Sequence, residues 1–174
     1  MASNEKNQPS IALAPTPIRE RLALALKDEV VGRSFSVKLK VGGGVHSQDY
    51  SLNFLATGEG RAECQFACRL TGRSGDSATY ARAKAARSAN DFRSLLKKME
   101  PVVQLPVSQP RFLPDTLVGI LEISDGRQVH RVYFAADPDQ AKTQGLTPPR
   151  ELLAAVNAIY TMGSKLTGQR SVKP

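Results

Sequence analysis

The sequence predicts an α+β fold, with an antiparallel sheet structure of about six strands and three helices: an N-terminal helix, then ββββα, then ββα. Three observations carry this. Apolar and polar residues alternate in "FSVKLKV", "YSLNFLA" and "AECQFACRL", and period two marks a strand with one buried face. Two later stretches, Phe92 to Met99 and Leu152 to Met162, space their apolar residues by three and four, the helical period. Between two apolar runs, "SDGR" carries Asp125-Gly126, a strong signal for a two-residue hairpin turn.

The elements follow in order. Residues 1–16 hold Pro9 and Pro15 among polar residues without a periodic apolar pattern, the composition of a disordered arm. Residues 17–100 are read as a helix, a four-stranded sheet and a second helix. "PIRERLALALKDEVV" opens on Pro17, which suits a first helical turn, and places Ile18, Leu22 and Ala25 or Leu26 on one face. The first strand points Phe35, Val37, Leu39 and Val41 inward, and the second Tyr50, Leu52, Phe54 and Ala56, with "GGGVHSQ" as the turn between them. The third strand sets Ala62, Cys64, Phe66, Cys68 and Leu70 against Glu63, Gln65 and Arg69.

After the "TGRSGD" turn, residues 77–87 support two readings. Alanine favours a helix running into the next one. Alternation of Ala81, Ala83 and Ala85 with Tyr80, Arg82 and Lys84 favours a fourth strand, and the strand is preferred because a turn precedes it. Ser88 stands three residues before Asp91, a capping arrangement for the helix that buries Phe92, Leu95, Leu96 and Met99.

Residues 101–114, with Pro101, Pro106, Pro110 and Pro114, form a proline-rich connector expected to be extended. Residues 115–166 are read as a hairpin plus a C-terminal helix capped by Thr147, with Pro148 and Pro149 in its first turn. The loop "DPDQAKTQGL" has room for one helical turn, and residues 167–174 are expected to fray. At 174 residues these parts fit one compact domain.

The sequence offers little to catalysis. "GRSGDS" lacks the G-x-S-x-G elbow, and "VGGGVH" and "TGEGRAEC" run into strands rather than helices, so neither is a dinucleotide fingerprint. Cys64 and Cys68 lie four apart on one strand face, about 13 Å, too far for a disulfide. With only His46 and His130 elsewhere, no zinc-ligand spacing exists. No catalytic residue, metal ligand or cofactor is assigned, and an enzymatic role has no support. No segment approaches the roughly 18 apolar residues of a membrane span, nor does the start resemble a secretory signal, so the expectation is a cytoplasmic protein without a membrane partner.

Charge is the positive signal. Of a formal net +8, residues 61–100 carry +5. Projected onto the strands, one sheet face shows Lys38 and Lys40, then Asn53, then Gln65 and Arg69, then Tyr80, Arg82 and Lys84, with Arg73 and Arg87 at the ends of the fourth strand and Glu63 as the acid in the middle. Cations for phosphates, amides and one exposed ring suit single-stranded DNA or RNA. The order of four strands then a helix, over roughly residues 34–99, is similar to the repeat of PUR- and Whirly-type single-stranded nucleic-acid-binding proteins, a resemblance of element order alone.

The competing class is a protein-interaction or oligomerisation domain. The strands of the second half are apolar on both sides (Val118 and Ile120 against Leu117 and Leu121), and such strands need cover from their own helices, from a homo-oligomer or from a protein partner.

Overall fold

The computed structural model describes residues 17–43, 50–70, 77–107 and 109–168. The expected N-terminal arm, the "GVHSQD" part of the first turn, the turn at 71–76 and the end of the tail lie outside the described residues.

Six strands form one antiparallel sheet: β1 (Ser36–Gly42), β2 (Tyr50–Thr57), β3 (Arg61–Leu70), β4 (Ser77–Ala86), β5 (Val118–Ser124) and β6 (Val129–Ala135), in the order β4-β3-β2-β1-β5-β6. The first four strands make a meander. The second-half hairpin then joins the free side of β1, with Leu39 opposite Leu121 and Val37 opposite Ile123. Both halves of the sequence thus share one sheet, with β1 at the seam.

The pleat sorts side chains by face. Val37, Leu39, Leu52, Phe54, Cys64, Phe66, Leu121 and Ile123 are buried on one side. Over them lie α3 (Ala89–Met99) and α5 (Arg150–Thr167), which pack on each other, with α5 crossing β3 and β4. Phe92, Leu95, Leu96 and Met99 of α3 and Leu152, Ala155, Val156 and Ile159 of α5 fill the space between. Gly163 of α5 lets the helix settle on β3: a Cβ there would stand 3.0 Å from the Cys64 sulfur. Among the described residues the other face carries no helix, and Lys38, Lys40, Asn53, Gln65, Arg82 and Lys84 are exposed on it.

Among the described residues three polar side chains are buried: Thr116, whose hydroxyl accepts from Gln144 Nε2 (2.7 Å), Asp125 and His130. Asp125, buried at the start of the hairpin loop, accepts from the backbone N–H groups of Arg127 (2.8 Å) and Gln128 (2.7 Å) and forms an ion pair with Arg21 of α1 (Ile18–Ala25). His130 is buried on β6, with Nε2 3.1 Å from the Val102 carbonyl. Asp125 flanks the two-residue loop rather than occupying it. Gly126 holds the first loop position at φ +84°, a left-handed value glycine adopts without strain.

The described residues form five α-helices, not three. The expected first helix breaks at Leu26 because Asp28 caps a new turn, α2 (Glu29–Gly32), by accepting from Val30 N–H at 2.8 Å. Asp137 does the same for α4 (Pro138–Thr143), accepting from Asp139 and Gln140 N–H. Thr147 caps nothing: Pro149 is the N-cap of α5, without a side-chain cap bond, and both prolines precede the helix. The fraying expected at the start of the tail is absent at Thr167, since α5 runs through it and ends at Gly168 in the left-handed conformation (φ +71°). The connector is not wholly extended. It opens with a 3₁₀ turn (Val102–Gln104) whose Val102 and Val103 are buried.

Candidate nucleic-acid interface

Residues 77–86 form the fourth strand, and this decides the geometry of the basic face. Alanine is a poor strand former in isolation, yet β4 is zipped to β3 over ten unbroken pairs, from Leu70↔Ser77 to Arg61↔Ala86. Small side chains at Ala81 and Ala83 fit the edge of the layer beneath α5. Ser88 accepts from Asp91 N–H (3.1 Å) and starts α3, so the helix cannot extend back into the strand.

The register aligns the open-face side chains in rows across the sheet. One row runs Arg131, Glu122, Lys38, Leu55, Glu63, Lys84 from β6 to β4. The next runs Tyr133, Ile120, Lys40, Asn53, Gln65, Arg82. A flanking row brings Arg61 of β3 beside Thr57 and Ala86. On the other flank Tyr80, 61 % exposed, stands opposite Ala67.

Ion pairing divides the cations. Lys84 holds Glu63 at 3.1 Å, and Arg131 holds Glu122 at 3.1 Å. Hydrogen bonding to Glu122 raises the Arg131 pKa further above its already high value. Both carboxylates are therefore engaged. Lys38, Lys40, Arg61 and Arg82 are exposed and form no ion pair among the described residues. Between them lies a shallow depression of about 130 Å³, with Leu55 as apolar floor and Lys38, Lys40, Asn53, Glu63, Gln65, Arg82 and Lys84 around it. Asn53 and Gln65 are directly opposite each other, so their amides present donors and acceptors side by side.

Of the residues singled out from sequence, Lys38, Lys40, Arg82 and Lys84 share this surface, with Tyr80 at its flank. Arg69 is in β3 opposite Ala78, but its side chain is outside the described residues, as is all of Arg73. Arg87 does not join the group. It lies one position past β4, half-buried, with its N–H donating to Gly60 (2.8 Å) and its Nε shielded from solvent. Sequence reasoning missed Arg61, which pairing with Thr57 shows to be the first residue of β3. It also missed Arg131, whose place in the row depends on β5 pairing with β1.

Under the covered face, Cys64 is buried and Cys68 half-buried, neither in a disulfide, and burial pushes the Cys64 pKa up. Nearby, burial raises the Tyr50 hydroxyl well above its ordinary pKa and pushes Tyr160 up to about 12. Burial thus favours the protonated form of Cys64, Tyr50 and Tyr160. Among the described residues no cluster of three His, Cys, Asp or Glu could hold a metal ion, and no helix is long and apolar enough to cross a membrane.

The fold and this surface define a class only: an α+β domain whose single antiparallel sheet has one face covered by helices and the other bare and cationic. The sequence matches no protein-family model and no curated protein.

Proposed function

We propose that this chain is a non-catalytic binding module that holds single-stranded nucleic acid against the bare face of its sheet. The observation that carries this reading is the set of four exposed cations without carboxylate partners, Lys38, Lys40, Arg61 and Arg82, drawn from three strands onto one uncovered surface. Phosphate binding is favoured by such charge through release of condensed counterions. A strand with unstacked bases can also use what lies between the cations: the Leu55 floor, the Asn53 and Gln65 amides, and the exposed Tyr80 ring at the flank. A duplex hides its base faces, which makes the single strand the better fit.

Fluorescence anisotropy with labelled single-stranded and duplex oligonucleotides of equal length tests this. The expected result is tighter binding of the single strand, weakened by at least tenfold in a Lys40→Gln, Arg82→Gln double variant. No binding at 20–50 mM salt overturns the proposal. A duplex preference overturns its single-strand clause.

The second reading, a protein-interaction or self-association domain without a nucleic-acid role, draws on a different part of the same face. Val118, Ile120 and Tyr133 are only half-buried there, and Val129 is 54 % exposed. A protein partner covering β5 and β6 would remove this apolar surface from water.

A further inference from the structure

The two edges of the sheet are not alike. At β6 the outer side is occupied: α4 packs against the strand, and the connector and the segment before α5 wall a groove around it, including Pro106, Phe112 and Pro149. At β4 no strand lies beyond among the described residues, and its packing neighbours there are β3 and, beneath, α5.

The direction of the unpaired backbone groups on β4 follows from the ladder. Arg87 N–H donates to the carbonyl of Gly60, the residue opposite it in register. In an antiparallel pair such hydrogen-bonded positions recur at every second residue. Ala85, Ala83, Ala81 and Thr79 therefore spend their N–H and C=O groups on β3. Those of Ala78, Tyr80, Arg82, Lys84 and Ala86 point outward. Native edges are commonly blunted by charged side chains, proline, a bulge, an inward charge or a covering element; β4 carries charge on its open face, Arg82 and Lys84, so a pairing register must keep these apart. Residues 77–86 contain no proline, the register is unbroken, and the side toward the helices carries Thr79, Ala81, Ala83 and Ala85.

We propose that β4 pairs antiparallel with β4 of a second copy of this chain, about a two-fold axis at Ala81, joining two sheets into one. Only registers that set outward-pointing residues against each other can form bonds, and charge chooses among them. An axis at Arg82 stacks Arg82 on its own copy, and an axis at Ala83 sets Arg82 against Lys84. An axis at Ala81 places Arg82 opposite Tyr80 of the other copy, a cation against an exposed aromatic face, and Lys84 opposite Ala78, with about eight new backbone hydrogen bonds. An axis at Tyr80 also avoids like charges but pairs fewer of the strand residues. On the other side of the joint, alanines meet Thr79 and alanine, leaving no bulk to hold the backbones apart. The pairing stands whether or not the basic face binds nucleic acid.

Sedimentation velocity of the full chain tests it, with two variants. Arg82→Pro deletes an N–H that β3 does not use, so the monomer should keep its fold by circular dichroism while the dimer is lost; Arg82→Thr, which retains the N–H, should remain dimeric. Ala81→Cys places two thiols across the axis in a non-hydrogen-bonded pair, with Cα atoms close enough for a disulfide, and should form a covalent dimer under mild oxidation where the parent chain does not. Should Arg82→Pro fail to fold, the cysteine variant decides. A parent chain that stays monomeric to about 100 μM, a folded Arg82→Pro variant that still dimerises, or an Ala81→Cys chain that does not cross-link each overturns the proposal.

Discussion

Removing the Asp125 carboxylate should cost more stability than any other single change outside the apolar core. The carboxylate ties three things together: the hairpin loop, through Arg127 and Gln128 N–H, and α1, through Arg21. Hydrogen bonds to a charged acceptor are worth about 1.5–3 kcal/mol each. Arg127 is exposed and Gln128 half-buried, so water can reach their N–H groups once the side chain is gone, which puts the two bonds together near 3 kcal/mol. The Arg21 pair adds roughly 1 kcal/mol, because Asp125 is fully shielded but the Arg21 side chain is 23 % exposed. Asp125→Ala should therefore lower stability by about 3–5 kcal/mol, or the melting temperature by roughly 6–20 °C for a chain of this size. Asp125→Asn, which keeps an acceptor for the loop, should cost about half as much. Urea unfolding of Asp125→Ala, Arg21→Met and the double variant isolates the pair, with an expected coupling of about 1 kcal/mol. A coupling indistinguishable from zero, or an Asp125→Asn variant as damaged as Asp125→Ala, would refute the assignment of the energy to these contacts. Acid should act on the same group. Burial works to raise the Asp125 pKa, but the N–H groups of Gln128 and Arg127 and the Arg21 charge outweigh it and hold the value below the usual 3.8. Its contribution is thus complete above that value and is lost as pH falls below it.

Three other outcomes are expected. If the four free cations each meet a phosphate, the slope of log affinity against log salt should be about −3 for single strands, and each replacement by glutamine should make it shallower by about 0.7; a slope that does not respond to Arg61→Gln removes that residue from the contact. Burial lowers the His130 pKa below 6.5, against the opposing pull of the Val102 carbonyl. The unfolded chain then binds the extra proton first, so stability should decline as pH drops below 6.5, by at most ~1.4 kcal/mol per pH unit, and His130→Leu should flatten that part of the urea-versus-pH curve. Gly119→Ala should destabilise by about 1–3 kcal/mol, because the new methyl would stand 2.2 Å from the Phe134 ring that lies across this glycine, and Phe134→Leu should recover part of the loss in the same melting assay.

Local pattern made most of the strands legible. Phe35 to Val41 and Tyr50 to Ala56 alternate without error because one face of each is buried in the core while the other meets water. β4 was harder, since alanine's intrinsic preference is overruled by ten cross-strand pairs that no local window contains. The extra helices α2 and α4 did leave a local trace, in Asp28 and Asp137 ahead of short amphipathic turns, but a single turn carries too little periodicity to separate from a loop. Strand order was beyond reach: Leu39 meets Leu121 across some eighty intervening residues, and nothing in either segment names the other. The candidate surface inherits the same division. Lys38, Lys40, Arg82 and Lys84 were legible from alternation on their own strands. Arg131 reaches Glu122 within the hairpin, but the place of that pair beside Lys38 depended on the long-range pairing of β5 with β1.

The place of β1 between a near partner, β2, and a distant one, β5, bears on synthesis. When the meander has left the ribosome, the inner rim of β1 is complete but bare, with Val37, Leu39 and Val41 beside an open row of backbone donors and acceptors, and it stays so until the hairpin arrives. A product that stops near residue 110 would keep this sticky rim permanently and should self-associate through β1, an edge that the entire chain covers with β5. Refolding of the intact molecule should likewise be limited by the docking of a late hairpin onto an early strand, since that closure spans the longest loop in the sheet.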